Sequence, residues 1–169
     1  MLETLASVGL PRTGGLVAMA AWLSIAVYNN VRDKGTNLYL LGAMFRMDLI
    51  KTDPNVGNDL EDRAIDDPDA PERAIRAVIA AQVGIGALLW AAAVLSAASW
   101  LVGFDPLVMR AVGNVAIAAF FGLWTFFLCG GLWFGYWIKT SHVQQVHFTL
   151  FIISLLLWLL LHAPNNLAI

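Results

Sequence analysis

The feature that most constrains this chain is the near absence of charge from its second half. Between Ala77 and Ile169 the sequence contains only three full charges, Asp105, Arg110 and Lys139. Apolar stretches of about 20 residues are long enough to cross a bilayer as helices. The composition agrees, because 13% of the residues are charged, against about 25% in soluble domains. The sequence therefore predicts an integral membrane protein.

Short polar breaks divide the apolar sequence into four segments. This pattern predicts an all-α integral membrane protein, a four-transmembrane-helix bundle that forms one domain over 1–169. The spans are expected at about 14–31, 77–102, 107–138 and 146–163, and the first is expected to be a retained helix rather than a signal peptide.

Two segments do not fit a simple span. A continuous helix over 107–138 would measure roughly 48 Å, longer than the bilayer core of about 30 Å. It must project into water or bend at Gly130–Gly131. The apolar segment 38–47 is too short to cross and predicts an interfacial or re-entrant element.

A polar stretch rich in acids separates the first two spans. Ten of the twelve acidic residues lie between Asp33 and Glu72, and residues 48–72 are predicted to form a long acidic loop. At its end, Asp69 and Glu72 have the spacing of a capping box that starts the second helix. Asp105 is the expected N-cap of the third helix.

The acidic loop contains oxygen ligands suited to calcium. They are Asp53, Asn55, Asn58, Asp59 and Glu61. Their spacing does not match an EF-hand, which needs glycine where Asn58 stands and glutamate where Ala64 stands. A solvated loop, or one docked on a partner, is the stronger interpretation, and we predict no metal site.

The three histidines are candidates for haem or pigment ligation. His147 and His162 are about 22 Å apart on one predicted helix, and His142 lies just before it. The other three spans contain no histidine. A bis-histidine haem cannot therefore form between two helices of this chain. We expect interfacial polar histidines and no cofactor.

The predicted spans contain few polar residues and no acid. Gln82 and Asn114 are expected to form hydrogen bonds between helices. Ion-coupled transporters and proton relays normally use ionisable groups inside the bundle. The spans contain no acid, and Arg110 lies near a helix end where it can reach an interface, which argues against transport; no residue pattern suggests catalysis.

Small residues provide the clearest packing signals. Gly131 and Gly135 form a GxxxG motif, which lets helix backbones approach closely in lipid. Trp133 and Trp137 suit the interfacial aromatic belt. The second span also carries small residues at similar spacing: Ala77, Ala80, Ala81, Gly84, Ala87 and Ala91. These surfaces could pack within the chain or against another chain.

A set of short segments occurs in a characteristic order along the chain: Asn29-Asn30, Asp33-Lys34-Gly35-Thr36-Asn37, Met47-Asp48, Arg63-Ala64-Ile65 and Gly130-Gly131-Leu132-Trp133-Phe134-Gly135-Tyr136-Trp137. In this order and spacing they resemble the bacterial DUF2165 family of predicted small integral membrane proteins. The resemblance covers roughly residues 14–160, and it implies a membrane bundle without an established activity. The chain departs from the family pattern at Gln82 and Leu132, where acids are common.

A second resemblance is weaker. The segment from Asp67 to Ala77 is similar to the first-loop motif of MAPEG glutathione-dependent membrane enzymes. That family continues with an Asn and a Glu that help to hold the thiol cofactor. This chain has Ala80, Ala81 and Gln82 in that region instead, so the resemblance does not extend to the cofactor site.

Together these features favour a non-catalytic accessory subunit of a larger membrane complex of respiratory, photosynthetic or oxygenase type. The expected location is the bacterial inner membrane, and the expected partners are other membrane subunits and lipid, not nucleic acid. A homo-oligomeric channel or transporter is the alternative, and a MAPEG-like enzyme the third. The proposed contact residues are Gly131, Trp133, Gly135, Trp137, Asp59, Glu61, Asp62, Asp66 and Asp67.

Two arguments about membrane orientation disagree. The loop side carries eight Lys and Arg residues and the opposite side carries Arg12 and Arg110, so the positive-inside rule makes the loop cytoplasmic. The DUF2165 resemblance implies the opposite orientation, with basic residues between the second and third helices. Because related proteins seldom invert, we expect an extracytoplasmic loop.

Overall fold

The computed structural model describes residues 8–164, and over that range the chain is helical without β-strands. Four helices are long and apolar enough to cross a membrane. They are α1 (Gly9–Arg32), α4 (Ala70–Val102), α5 (Pro106–Trp133) and α7 (Ser141–His162). The predicted four-helix membrane fold is therefore confirmed, and it starts five residues earlier than expected, at Gly9 rather than about residue 14.

The region between α1 and α4 is more structured than the sequence suggested. It contains α2 (Lys34–Phe45), α3 (Asp48–Lys51) and a 3-10 helix (Asn58–Arg63). The predicted long acidic loop over 48–72 is therefore not confirmed as a loop, because short helices and the first turn of α4 occupy much of it. Residues 38–45 of the predicted segment 38–47 belong to the twelve-residue α2, which packs on α4.

The third span ends earlier than predicted. Helix α5 stops at Trp133, and a separate short helix, α6 (Tyr136–Lys139), follows it. The break lies at Gly135, which has a φ of +63°, a conformation that costs other residues about 1–2 kcal/mol. The expected bend therefore occurs, but four residues beyond Gly131, while Gly130 and Gly131 remain helical.

The core lies between the four long helices. Its buried side chains include Leu23 of α1, Leu89 of α4, Phe120 of α5 and Leu157 of α7. Small residues bring the helices close: a Cβ added to Gly113 would lie 2.7 Å from Leu161 Cδ1. In lipid the hydrophobic effect does not drive helices together, so a bundle depends on the van der Waals contacts that such close packing provides.

Hydrogen bonds join the helices at several depths. Asn30 Nδ2 of α1 donates to Gln82 Oε1 of α4 at 2.7 Å. Trp158 Nε1 of α7 donates to Asn114 Oδ1 of α5 at 2.8 Å. The prediction that Gln82 and Asn114 link helices is confirmed. In a medium without water, each such bond also satisfies a polar group that would otherwise be costly to bury.

The two predicted N-caps have different outcomes. Asp105 accepts a hydrogen bond from Leu107 N at 2.8 Å, so its capping role is confirmed. Asp69 precedes α4 as predicted, but its side chain makes no cap bond. The capping-box interpretation is wrong because Glu72 turns away to pair with Lys34 and Arg76. Asp67 instead accepts from Asp69 N at 2.9 Å.

Candidate functional site

The segment between α1 and α4 (residues 34–69), with α2, α3 and the 3-10 helix, forms a folded region at one end of the bundle that we call the cap. Contacts with other residues of the chain hold it in place. Ile65 N donates to Phe45 O at 2.8 Å, and the rings of Phe45 and Phe134 are 5.1 Å apart. The Arg63 guanidinium lies 4.7 Å from the centroid of the Trp133 ring. Contacts within the chain therefore fix the position of the acidic segment against the bundle.

Two ion pairs secure the cap electrostatically. Lys139 Nζ lies 2.8 Å from Asp53 Oδ2, and the hydrogen bond from Lys139, followed by that from Asn55 N–H, lowers the pKa of Asp53. Arg73 Nη2 lies 2.5 Å from Asp67 Oδ2, and this hydrogen bond lowers the pKa of Asp67. Both carboxylates are thus committed to contacts within the chain.

The GxxxG glycines are covered by residues of the same chain. Gly131 and Gly135 are both buried. A Cβ on Gly131 would collide with the ring of Tyr136, and one on Gly135 would lie 2.7 Å from Ile50 Cδ1. Because the turn after Trp133 folds Tyr136 and the cap over them, the chain itself occupies the surface at which a partner helix was expected.

The other predicted contact residues remain on the surface. Trp133 and Trp137 are 55% and 51% exposed. The structure brings them to the cap end together with the acids of the 3-10 helix and the segment after it. Asp59, Asp62 and Asp66 are exposed, and Glu61 is half-buried. Among the residues that the structure describes, these four acids form no ion pair, and they lie at the same end of the bundle as the two indole rings.

The small residues of α4 form a continuous outward face that we call the α4 small face. It faces away from the core, whose α4 members include Gln82 and Leu89. A Cβ added to Gly84 would meet nothing within 4 Å. All six residues of the face are exposed: Ala77, Ala80, Ala81, Gly84, Ala87 and Ala91. None of the described helices of this chain covers it.

The histidines occupy three different environments. His162 Nε2 lies 2.9 Å from Asn114 Oδ1, and His142 is exposed. His147 is half-buried, and its ring lies 5.1–6.0 Å from the rings of Phe127, Trp124 and Tyr136. The expectation of simple interfacial histidines therefore missed the aromatic box around His147, whose members come from three separate helices.

The aromatic box contains polar atoms without partners. Trp124 Nε1, Tyr136 Oη and His147 Nδ1 are buried and make no hydrogen bond within the described chain. The rings are in direct contact, so they leave no space for a haem-sized group. Over residues 8–164 there is also no group of three His, Cys, Asp or Glu residues that could bind a metal ion.

A lateral cleft opens between α1 and α7. Its volume is about 340 Å³, and it is bounded by Met19 and Trp22 on α1. The α7 wall consists of His142, Gln145, Val146, Thr149, Leu150 and Ile153. Both walls belong to helices that are long and apolar enough to cross a membrane. Sequence periodicity carried no indication of it, since the cleft depends on how two distant helices diverge.

Comparison with known proteins identifies one family. A family model described as "Predicted small integral membrane protein (DUF2165)" matches residues 10–164. The chain matches no curated protein and no solved structure at a significant level.

Proposed function

Because the chain belongs to the DUF2165 family of predicted small integral membrane proteins, we propose that it acts by contact, as a non-catalytic accessory subunit of a larger membrane complex. In a bacterial cell this would be a respiratory, photosynthetic or oxygenase complex of the inner membrane. The α4 small face is the observation that carries the proposal. We therefore propose an interface on α4, and not at Gly131 and Gly135 as the sequence suggested.

The α4 small face has the properties of a helix-docking surface. Small residues repeat at four-residue spacing from Ala77 to Ala81 and from Ala80 to Gly84. Such residues let a second helix approach closely enough for backbone contacts and extensive van der Waals packing. Within this chain the face packs on nothing, whereas the equally small Gly113 packs tightly against Leu161.

The acidic surface of the cap would provide a second contact. Its four acids without ion partners carry negative charge outside the bundle. A basic region on the partner would be attracted to it, and salt would weaken the attraction. Because contacts within the chain already hold the cap in place, the partner would meet a preorganised surface rather than order a loop.

Replacement of Gly84 by leucine tests the proposal with a matched control. The added side chain enters open space, so the bundle should fold normally. A docked helix, however, would be displaced, and overpacking of about 1–3 kcal/mol lowers association about fivefold to more than a hundredfold. Gly122→Leu is the control, because Gly122 is an exposed glycine on α5 with equally open surroundings.

The measurement is affinity purification of the tagged chain from native membranes, with helicity followed by circular dichroism. We expect foreign membrane subunits to co-purify with the wild type and Gly122→Leu, and to be lost from Gly84→Leu. Recovery of a second copy of this chain alone would instead support a homo-oligomer. Equal recovery of partners with both leucine variants would exclude the α4 small face as the interface.

A further inference from the structure

The cleft between α1 and α7 arises because these helices meet at only one end. There, a Cβ on Gly15 would lie 2.6 Å from Leu157 Cδ2. Arg12 donates from Nε to Leu160 O at 3.0 Å and from Nη2 to Ala163 O at 2.8 Å. Toward the cap, the helices diverge, and the 340 Å³ cleft lies between Trp22 and the first half of α7.

The α7 wall changes from mainly polar to apolar along its length. His142, Gln145 and Thr149 line the half nearer the cap together with Val146, and only apolar residues, Leu150 and Ile153, line the deeper half. The cap end is where α7 enters the membrane. An occupant would therefore place a polar head toward the interface and an apolar part toward the middle of the bilayer.

The residues that line the cleft favour an occupant whose polar head group is uncharged. None of its eight residues is Asp, Glu, Lys or Arg, and an ionised head would lack a charged partner in a medium of low dielectric constant. The Gln145 amide can donate hydrogen bonds, and His142 can donate one in either neutral tautomer. Carbonyl oxygens are their natural complement.

An aromatic ring forms the opposite wall. Trp22 is 37% exposed, and its ring makes an edge-type contact with Trp124, with ring centroids 5.4 Å apart. Trp124 makes a similar contact with Phe120 at 5.5 Å. These contacts restrain the Trp22 indole, and its exposed part gives the cleft an aromatic wall on which a planar conjugated ring can stack.

From this arrangement we propose that the cleft binds the ring of a membrane quinone. The ring lies on Trp22 with its carbonyl oxygens toward Gln145 and His142, and the apolar tail passes Met19 and Ile153 into lipid. The volume is within the usual range of small-molecule pockets, about 300–1,000 Å³. The site is independent of the α4 small face, so it holds for the isolated chain.

Decylubiquinone is a suitable probe, because quinones quench tryptophan fluorescence. The wild-type chain in nanodiscs should show a saturable quenching component that Trp22→Phe removes. Gln145→Leu should weaken binding by roughly 2- to 12-fold, the range expected from one lost hydrogen bond. Gln144→Leu is the matched control, because the neighbouring glutamine does not line the cleft.

A steric variant makes the test independent of Trp22. Ile153→Phe narrows the apolar half from α7 and should abolish the saturable component while helicity is retained. Competition with decanol and dodecanoate then tests whether the cleft recognises the quinone ring or only an alkyl tail with any polar group. Displacement of the quinone by decanol or dodecanoate at equal concentration would show that the cleft binds any alkyl chain and would overturn the proposal. So would the absence of saturable quenching, or equal binding by Gln145→Leu and Gln144→Leu.

Discussion

Replacement of Asn114 by leucine tests how far interhelical hydrogen bonds stabilise this bundle. Asn114 Oδ1 accepts from Trp158 Nε1 at 2.8 Å and lies 2.9 Å from His162 Nε2. Leucine has a similar size, so packing should be largely retained while both contacts to α7 are lost. Interhelical hydrogen bonds in membrane proteins contribute about 0.6 kcal/mol on average and up to about 1.7 kcal/mol. Two such bonds predict a loss of about 1–3 kcal/mol in the free energy of unfolding.

A double-mutant cycle separates the Trp158 bond from other effects. Trp158→Phe removes the indole N–H but keeps an aromatic ring in the cluster with Phe121. The coupling energy between Asn114→Leu and Trp158→Phe should be about 0.6–1.7 kcal/mol. The assay is reversible unfolding in mixed micelles with increasing SDS, followed by circular dichroism.

Thr125→Val is the control, because it removes a polar side-chain group that forms no hydrogen bond between helices. The Thr125 hydroxyl donates to Phe121 O of its own helix at 2.9 Å. Its replacement should change the free energy of unfolding by less than about 0.5 kcal/mol. A coupling energy near zero, with Asn114→Leu as stable as Thr125→Val, would refute the reasoning that this bond holds α5 against α7.

Two further predictions concern the turn after α5 and the orientation in the membrane. Gly135→Ala should lower the free energy of unfolding by at least about 1–2 kcal/mol, because the residue has a positive φ and Ile50 occupies the space. Gly130→Ala, in a helix with open surroundings, should instead be neutral or stabilising by up to about 1 kcal/mol, and equal SDS midpoints for the two variants would contradict this. A cysteine at the exposed Asn55, in a Cys129→Ser background, should react with an impermeant maleimide outside intact cells; reaction only after permeabilisation would place the cap in the cytoplasm.

The long helices could be predicted because their signal is local. Long apolar runs with at most one charge, which end at prolines or polar residues, determine where a membrane helix can lie, and all four were found. The interhelical roles of Gln82 and Asn114 were also predictable, since a lone polar group in a span needs a partner. The identity of each partner was not predictable, because Asn30 and Trp158 are distant in sequence.

The errors have a common physical cause, which is contact between distant residues. Arg12 was expected to lie outside the first span, yet it is 3% exposed because its guanidinium donates to carbonyls at the end of α7. Asp69 and Glu72 have capping-box spacing, yet Lys34 draws Glu72 away. In each case a prediction from neighbouring residues failed because a contact with a residue distant in sequence decided the conformation.

The two sets of small residues show why a motif does not define its own partner. The Gly131–Gly135 motif and the α4 small face have the same spacing, and no local signal distinguishes which of them faces outward. The difference lies in the path of the chain beyond each helix. After Trp133 the chain turns back at Gly135, so Tyr136 and the cap cover the glycines. The α4 small face has no such return: the chain leaves α4 through Gly103 into α5, which packs on another side. Small residues in a membrane helix therefore mark a place of close approach, and the connection decides whether the chain itself or another molecule occupies it.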